Sequence, residues 1–160
     1  MGSCIVHSDP WPHLEFDEFL PEAMATGILM RWPTDGFEWL KHSDVVRKDG
    51  TSLRRYQHLA KAFPEYAAQL VSEWYFQHAS ALNVIDGPVY PIALLVEDTP
   101  GYKIRRHTDC AGKRISAQVY LPSEAGHEDH GVILQTLHGE RSKQIPYRFN
   151  HGYAFKVTNC

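Results

Sequence analysis

The chain has 160 residues, of which 43% are hydrophobic and 22% charged, and its formal net charge is −3. This length and composition are typical of one globular domain, which buries about 68 to 70% of its unfolded surface. The small negative charge argues against general nucleic-acid binding, and no apolar run approaches the roughly 20 residues that cross a bilayer.

The cysteines and the N-terminus indicate the cellular compartment. Cys4, Cys110 and Cys160 are odd in number, widely spaced and without a CxxC motif, so neither a disulfide framework nor a zinc ribbon is indicated. The first ten residues have neither the basic start nor the apolar segment of a secretory signal. We therefore expect a cytoplasmic protein with reduced cysteines and no membrane partner.

The first elements in the chain are an expected strand and helix. Residues 1–9 are expected to form an unpacked terminus, and the loose alternation of residues 11–16 predicts a short strand. Asp17 is the expected N-cap of a helix whose apolar residues follow helical spacing, with Pro21 in its first turn.

Two further helices are expected in the first half. Apolar residues at three- and four-residue steps predict a helix over 53–63, ended by Pro64, and a longer one over 66–82. His58 and His78 fall within these helices without a ligand-type partner four residues away. We expect both to be partly buried, hydrogen-bonded histidines and not metal ligands.

The second half of the chain is rich in strand patterns separated by short turns. Strands are expected over 90–96, 102–107, 115–121, 132–136, 145–148 and 153–158. Helices followed by closely spaced strands predict an α+β fold, in which an antiparallel barrel or jelly roll is backed by the helices. We expect a single domain over 1–160, with helical support over roughly 17–85 and barrel strands over roughly 89–160.

A His-x-Asp motif, His107-Thr108-Asp109, lies among these strands. Side chains alternate in a strand, so His107 and Asp109 would point to the same face. One imidazole and one carboxylate are two of the three ligands of the facial triad that holds non-haem Fe(II) and leaves positions for substrate and O2. The bare motif occurs by chance in many proteins, but its place between strand patterns favours a metal site.

The motifs around His107 also follow a recognisable order. GYKIRRHTD is followed by a strand that ends in VYLP, by a glycine that opens another strand at Gly131, and by FNHGYAFKVTN. This series resembles the Fe(II)/2-oxoglutarate-dependent dioxygenases, in particular their prolyl-4-hydroxylase-like bacterial branch. The segment PWPHLEFDEFLP resembles the usual start of such proteins, so the resemblance covers nearly the whole chain.

The resemblance implies a double-stranded β-helix in which His107 and Asp109 bind Fe(II). It implies 2-oxoglutarate as co-substrate and hydroxylation of a small-molecule or peptidyl substrate by O2, with release of succinate and CO2. Tyr120 matches a strand position from which related enzymes offer a hydroxyl to the far carboxylate of 2-oxoglutarate, and Tyr102 is a second candidate for that polar lining. The structural alternative for both is a half-buried strand tyrosine whose hydroxyl is satisfied elsewhere.

The third iron ligand of the family, a distal histidine, and its arginine for 2-oxoglutarate would be expected just beyond Cys160, so we expect the domain to be incomplete there. One alternative is a substitute ligand, His151 or His138. Another is a catalytically silent barrel that only binds a ligand or partner, and a third is a cupin-type metalloenzyme without 2-oxoglutarate. The polar loop EAGHEDH at 124–130 carries three ligand-type side chains, but we expect it to be solvated.

Overall fold

The computed structural model describes residues 3–40, 53–70, 78, 81–82, 90–104, 107–109 and 112–157. Strands outnumber helices in this part of the chain, and the predicted α+β class is confirmed. The strands are β1 Cys4–His7, β2 His13–Phe16, β3 Glu38–Trp39, β4 Arg54–His58, β5 Leu94–Asp98, β6 Ile115–Val119, β7 Ile133–Gln135, β8 Ser142–Gln144 and β9 Gly152–Lys156. The helices are α1 Glu22–Met30, α2 Leu59–Ala62 and α3 Pro64–Gln69, with a short 3-10 turn at Glu128–His130.

The largest sheet joins early strands to late ones. Its order is β1-β2-β9-β6, and every neighbouring pair is antiparallel. Leu14 and Phe16 of β2 are buried, and burial of such side chains contributes roughly 1.5–3 kcal/mol each. The unpacked terminus predicted over 1–9 is therefore wrong where β1 pairs with β2, because β2 offers β1 a free edge.

The chain divides into two compact units. The first contains Met1–Arg31, Gln77–Gly87 and Asp109–Cys160, and the second contains Trp32–Phe76 and Pro88–Thr108. The four-stranded sheet, α1 and the β7–β8 pair lie in the first unit, and the antiparallel sheet β3-β4-β5 lies in the second. These sheets of the described residues form no closed barrel. The single domain over 1–160 remains a prediction.

A buried cluster of side chains connects the late strands of the first unit. Its members are Tyr120, Leu134, Ile145 and Tyr153, and Ile145 is fully buried. The backbone N–H of Ile145 donates to the Val132 carbonyl at 2.9 Å, so the chain after β8 lies close to the chain before β7. Little space is therefore left for a side chain between these two segments.

Asn150 fixes the segment that leads into α1. Its Oδ1 accepts a hydrogen bond from the Leu20 N–H at 2.9 Å, and its Nδ2 donates to the Leu20 carbonyl at 2.8 Å. Its backbone carbonyl accepts from the Phe19 N–H, and its own N–H donates to the Tyr120 carbonyl, both at 2.8 Å. Asn150 has a φ of 56°, in the left-handed region that asparagine tolerates better than most residues.

The first helix starts later than its sequence suggests. It begins at Glu22 with Pro21 at its N-cap, so Asp17 lies outside the helix and the predicted cap at Asp17 is wrong. The Asp17 carboxylate instead accepts a hydrogen bond from Arg148 Nη2 at 3.1 Å. Met24, Ala25 and Ile28 form its buried face. No helix in the described ranges is long and apolar enough to cross a membrane.

The helix predicted over 53–63 is wrong in its first part, which is strand β4. Arg54 lies opposite Asp98 in β5, and its Nε donates to Asp98 Oδ1 at 2.6 Å. Arg55 makes a similar cross-strand pair with Glu97. The apolar spacing suits a helix, but pairing with a distant strand and these charge pairs stabilise the extended form.

Other predicted element boundaries agree better with the structure. Pro64 does separate two helices, since it opens α3 at a position where its missing N–H has no intrahelical partner. Four predicted strands are present with shifted bounds: those over 90–96, 115–121, 132–136 and 153–158. The strand predicted over 145–148 is wrong, because β8 ends before it. The strand predicted over 102–107 is absent from its described residues, and much of the helix over 66–82 lies outside the described residues.

Candidate metal centre

The predicted iron ligands His107 and Asp109 lie in a segment without regular secondary structure. His107 is exposed, whereas the side chain of Asp109 is 14% exposed and its Oδ1 accepts a hydrogen bond from Lys113 Nζ at 2.9 Å. The division between the two compact units falls between Thr108 and Asp109. The role of this pair as iron ligands therefore remains a prediction from the sequence motif.

The donor atoms of this motif suit Fe(II), but the set is partial. One imidazole and one carboxylate are two ligands of a triad. Among the described residues, only His7, His13 and Glu15 form a group of three ligand-type side chains, and neither His107 nor Asp109 belongs to it. The described part of the chain thus supplies no third ligand beside the His-x-Asp motif.

Tyr120, a predicted 2-oxoglutarate ligand, lies in the buried cluster and is 5% exposed. Its hydroxyl oxygen accepts a hydrogen bond from the Val132 N–H at 2.9 Å, and its ring lies 5.0 Å from the ring of Tyr147. This contact favours the structural alternative, a tyrosine whose hydroxyl is hydrogen-bonded within the protein, although Tyr120 lies just after β6 and not in the strand. The cofactor role of Tyr120 remains a prediction.

Tyr102, the second predicted lining residue, has a buried hydroxyl with no hydrogen-bond partner among the described residues. Its ring lies 4.2 Å from the guanidinium carbon of Arg54. Burial raises the pKa of Tyr102, Arg54 opposes this effect, and Asp98 adds to it. A buried, unsatisfied hydroxyl costs about 1–3 kcal/mol, so this hydroxyl could donate a hydrogen bond to a bound ligand.

The two candidate substitute ligands differ in environment. His138 is exposed in a turn, whereas His151 is 2% exposed. His151 Nε2 donates to Glu15 Oε1 at 3.0 Å, and its Nδ1 lies 3.1 Å from Arg148 Nη2. Both ring nitrogens of His151 are therefore already engaged.

The loop predicted to be solvated has a stacked pair of histidines. The rings of His127 and His130 lie 4.9 Å apart with 15° between their planes, and both residues are exposed. Neither belongs to a group of three ligand-type side chains within the described ranges.

The clearest ligand cluster lies on the β1–β2 hairpin. The strand register places His7 opposite His13, and their rings stack at 4.8 Å with 15° between planes. Glu15 lies two residues from His13 on β2, and one ligand atom from each of the three residues lies within 4.8 Å of the others. Two imidazoles and one carboxylate gathered in this way could hold a metal ion.

Hydrogen bonding defines the ring state of His13. Its Nδ1 lies 2.8 Å from the Trp11 carbonyl oxygen, and a carbonyl only accepts, so Nδ1 carries the hydrogen. Nε2 then presents a lone pair. His13 is 1% exposed, and burial lowers its pKa, which favours the neutral ring.

Glu15 is held as a carboxylate. Burial by itself raises the pKa of Glu15, but the hydrogen bond and charge of Lys143 and the charges of His151 and His7 bring it below its usual value. Its side chain is 13% exposed, so the charge is only partly screened by solvent.

Sequence reasoning missed this cluster because it requires a strand pairing. The alternation of residues 11–16 already placed His13 and Glu15 on one face, but His7 lay in a terminus expected to be unpacked. Asp9-Pro10 between two short runs is a turn signal that could have suggested the hairpin.

Comparisons with known proteins give no match: neither a family model, nor a curated protein, nor a solved structure matches the chain.

Proposed function

We propose that the chain is an Fe(II)- and 2-oxoglutarate-dependent oxygenase domain that hydroxylates a substrate with release of succinate and CO2. The observation that carries the proposal is the order of its motifs: His107-Thr108-Asp109, the VYLP strand, and the GYAFK strand. When bound, iron and 2-oxoglutarate would supply the oxidising chemistry with O2. The protein would bind and orient them.

The proposed fold is a double-stranded β-helix. In support, β6, which ends at the first residue of VYLP, Val119, pairs with β9, which carries GYAFK, in an antiparallel sheet whose other members are β1 and β2. All strand pairs in the three sheets are antiparallel, as they are within the sheets of a jelly roll.

The proposal gives each site residue a task. His107 would bind the ion through a ring nitrogen and Asp109 through a carboxylate oxygen. Lys113 donates to one oxygen of Asp109, and a carboxylate has acceptor sites enough for this bond and a metal. The buried hydroxyl of Tyr102 would donate to a carboxylate of 2-oxoglutarate, with Tyr120 as the second candidate.

A catalytically silent binding module is the second candidate function. The specific observation in its favour is the ion pair of Asp109 with Lys113 at 2.9 Å, which compensates the carboxylate charge without a metal. Such a module would keep the fold and bind a ligand or partner without iron.

Anaerobic addition of Fe(II) and 2-oxoglutarate tests the proposal. Because two protein ligands hold iron less tightly than three, Fe(II) is added in excess. We expect the weak visible charge-transfer band of the chelate to form with the wild type and to be lost in His107→Ala. His58→Ala, at an exposed position of β4, is the matched control and should retain the band.

Two results would contradict the oxygenase proposal. The first is no band with folded wild-type protein, which would favour the binding module. The second is an unchanged band in His107→Ala, which would assign the iron to other residues. His7→Ala, measured in parallel, shows whether the iron is bound by His7, His13 and Glu15 of the β1–β2 hairpin, here called the hairpin cluster.

A further inference from the structure

The hairpin cluster contains a cation already. Lys143 of β8 lies with its Nζ 2.9 Å from His7 Nε2, and it donates a hydrogen bond to Glu15 Oε2. His7 Nε2 itself lies 2.9 Å from the same carboxylate oxygen. The ammonium group thus contacts two of the three ligand-type side chains, the His7 imidazole and the Glu15 carboxylate.

His13 is left out of this arrangement. Its Nε2 is buried and has no hydrogen-bond partner among the described residues. An unsatisfied buried nitrogen is costly, and protein lone pairs of this kind are normally paired. Its other nitrogen donates to the Trp11 carbonyl, which is the outer contact that commonly orients a metal-binding histidine.

Glu15 is likewise oriented by a hydrogen bond from a residue outside the three ligand-type side chains. His151 Nε2 donates to Glu15 Oε1 at 3.0 Å, and His151 is 2% exposed. One carboxylate oxygen is therefore anchored by a buried donor, and the other, Oε2, faces His7 and Lys143. Buried partners that orient the ligands are typical of metal sites.

We propose that His7, His13 and Glu15 form a second site, which binds a divalent transition-metal ion of the zinc class in exchange for the ammonium group of Lys143. The ion would satisfy the lone pair of His13 that Lys143 leaves unpaired. Lys143 has a flexible stem and is 28% exposed, so its ammonium group can move into solvent. The site does not depend on the proposed oxygenase function, because it uses different residues.

The dimensions of the cluster permit such an ion after a small adjustment. Zinc binds nitrogen and oxygen at about 2.0–2.2 Å, which puts tetrahedral ligand atoms roughly 3.3 Å apart. The ligand atoms now lie within 4.8 Å of one another, so the widest pair must close by at most roughly 1.5 Å. Rotation of His7, which is 25% exposed, can supply this movement. The fourth position would be open to water.

Zinc titration of four variants tests the inference. All are made in the His107→Ala background, so that the His-x-Asp motif cannot contribute, and binding is followed by calorimetry with ZnCl2 and by the visible spectrum of added Co(II). We expect one ion per chain in this background and affinity reduced by at least about tenfold in His7→Ala. Lys143→Met should bind zinc at least about fivefold more tightly, because it removes the competing charge.

The controls separate metal binding from folding. His138→Ala should leave the affinity unchanged, and circular dichroism checks that each variant is folded before zinc is added. His13→Gln, which keeps a polar side chain in the buried position, should also lose binding. The inference is overturned if the His107→Ala background binds no zinc, if His7→Ala binds it as tightly, or if Lys143→Met shows no gain.

Discussion

Gly131→Ala is expected to lower the free energy of unfolding by about 3 kcal/mol, the upper end of the usual cost of overpacking. An added Cβ would overlap the Ile145 carbonyl oxygen and would lie 3.0 Å from the Tyr147 backbone nitrogen. These are backbone atoms, so no side-chain rotation can relieve the contact. The φ of Gly131 is −66°, which any residue adopts, and the effect is therefore one of space alone. Urea unfolding with an unchanged m value measures it.

Gly112→Ala is the matched control for this prediction. A Cβ at Gly112 would meet no described atom within 4 Å, and we expect a change within about 0.5 kcal/mol. If Gly131→Ala were as stable as Gly112→Ala, the close approach of Gly131 to Ile145 would be wrong, and with it the packing of β7 beside β8.

Asn150→Ala is expected to cost about 2–4 kcal/mol. It removes both side-chain hydrogen bonds to Leu20 and leaves that residue's buried N–H and carbonyl without their partners. It also places alanine at a φ of 56°. Thermal and urea unfolding would show the loss.

Asn150→Gly separates the two causes. Glycine adopts a positive φ freely but makes no side-chain hydrogen bond, so we expect it to be more stable than Asn150→Ala by about 1 kcal/mol and still clearly less stable than the wild type. If both variants unfolded at the wild-type midpoint, the link from Asn150 to the start of α1 would carry no stability.

The sequence predicts elements best where local pattern and long-range pairing agree. In residues 115–119 and 152–156 the strand pattern coincides with pairing between β6 and β9. In Arg54–His58 they disagree: the local spacing suits a helix, but Asp98 in a distant strand offers Arg54 a charge partner. Single-sequence periodicity has no access to that partner.

The same limit explains the candidate sites. His107 and Asp109 are two residues apart, so a local motif is enough to select them. The hairpin cluster needs the register of His7 with His13, and Lys143 reaches it from a strand more than a hundred residues later. Strand alternation alone predicts only that His13 and Glu15 share a face of β2.

Binding of iron by His107 and Asp109 can be tested by peptide mass spectrometry after exposure to Fe(II), ascorbate and O2, because histidines that bind iron are oxidised faster than others. His107 and His58 are both exposed, so solvent access is matched between them. We expect His107 to be oxidised several-fold faster than His58, and this excess to disappear in Asp109→Asn. Equal oxidation of His107 and His58 in the wild-type protein would contradict the assignment of His107 and Asp109 as iron ligands.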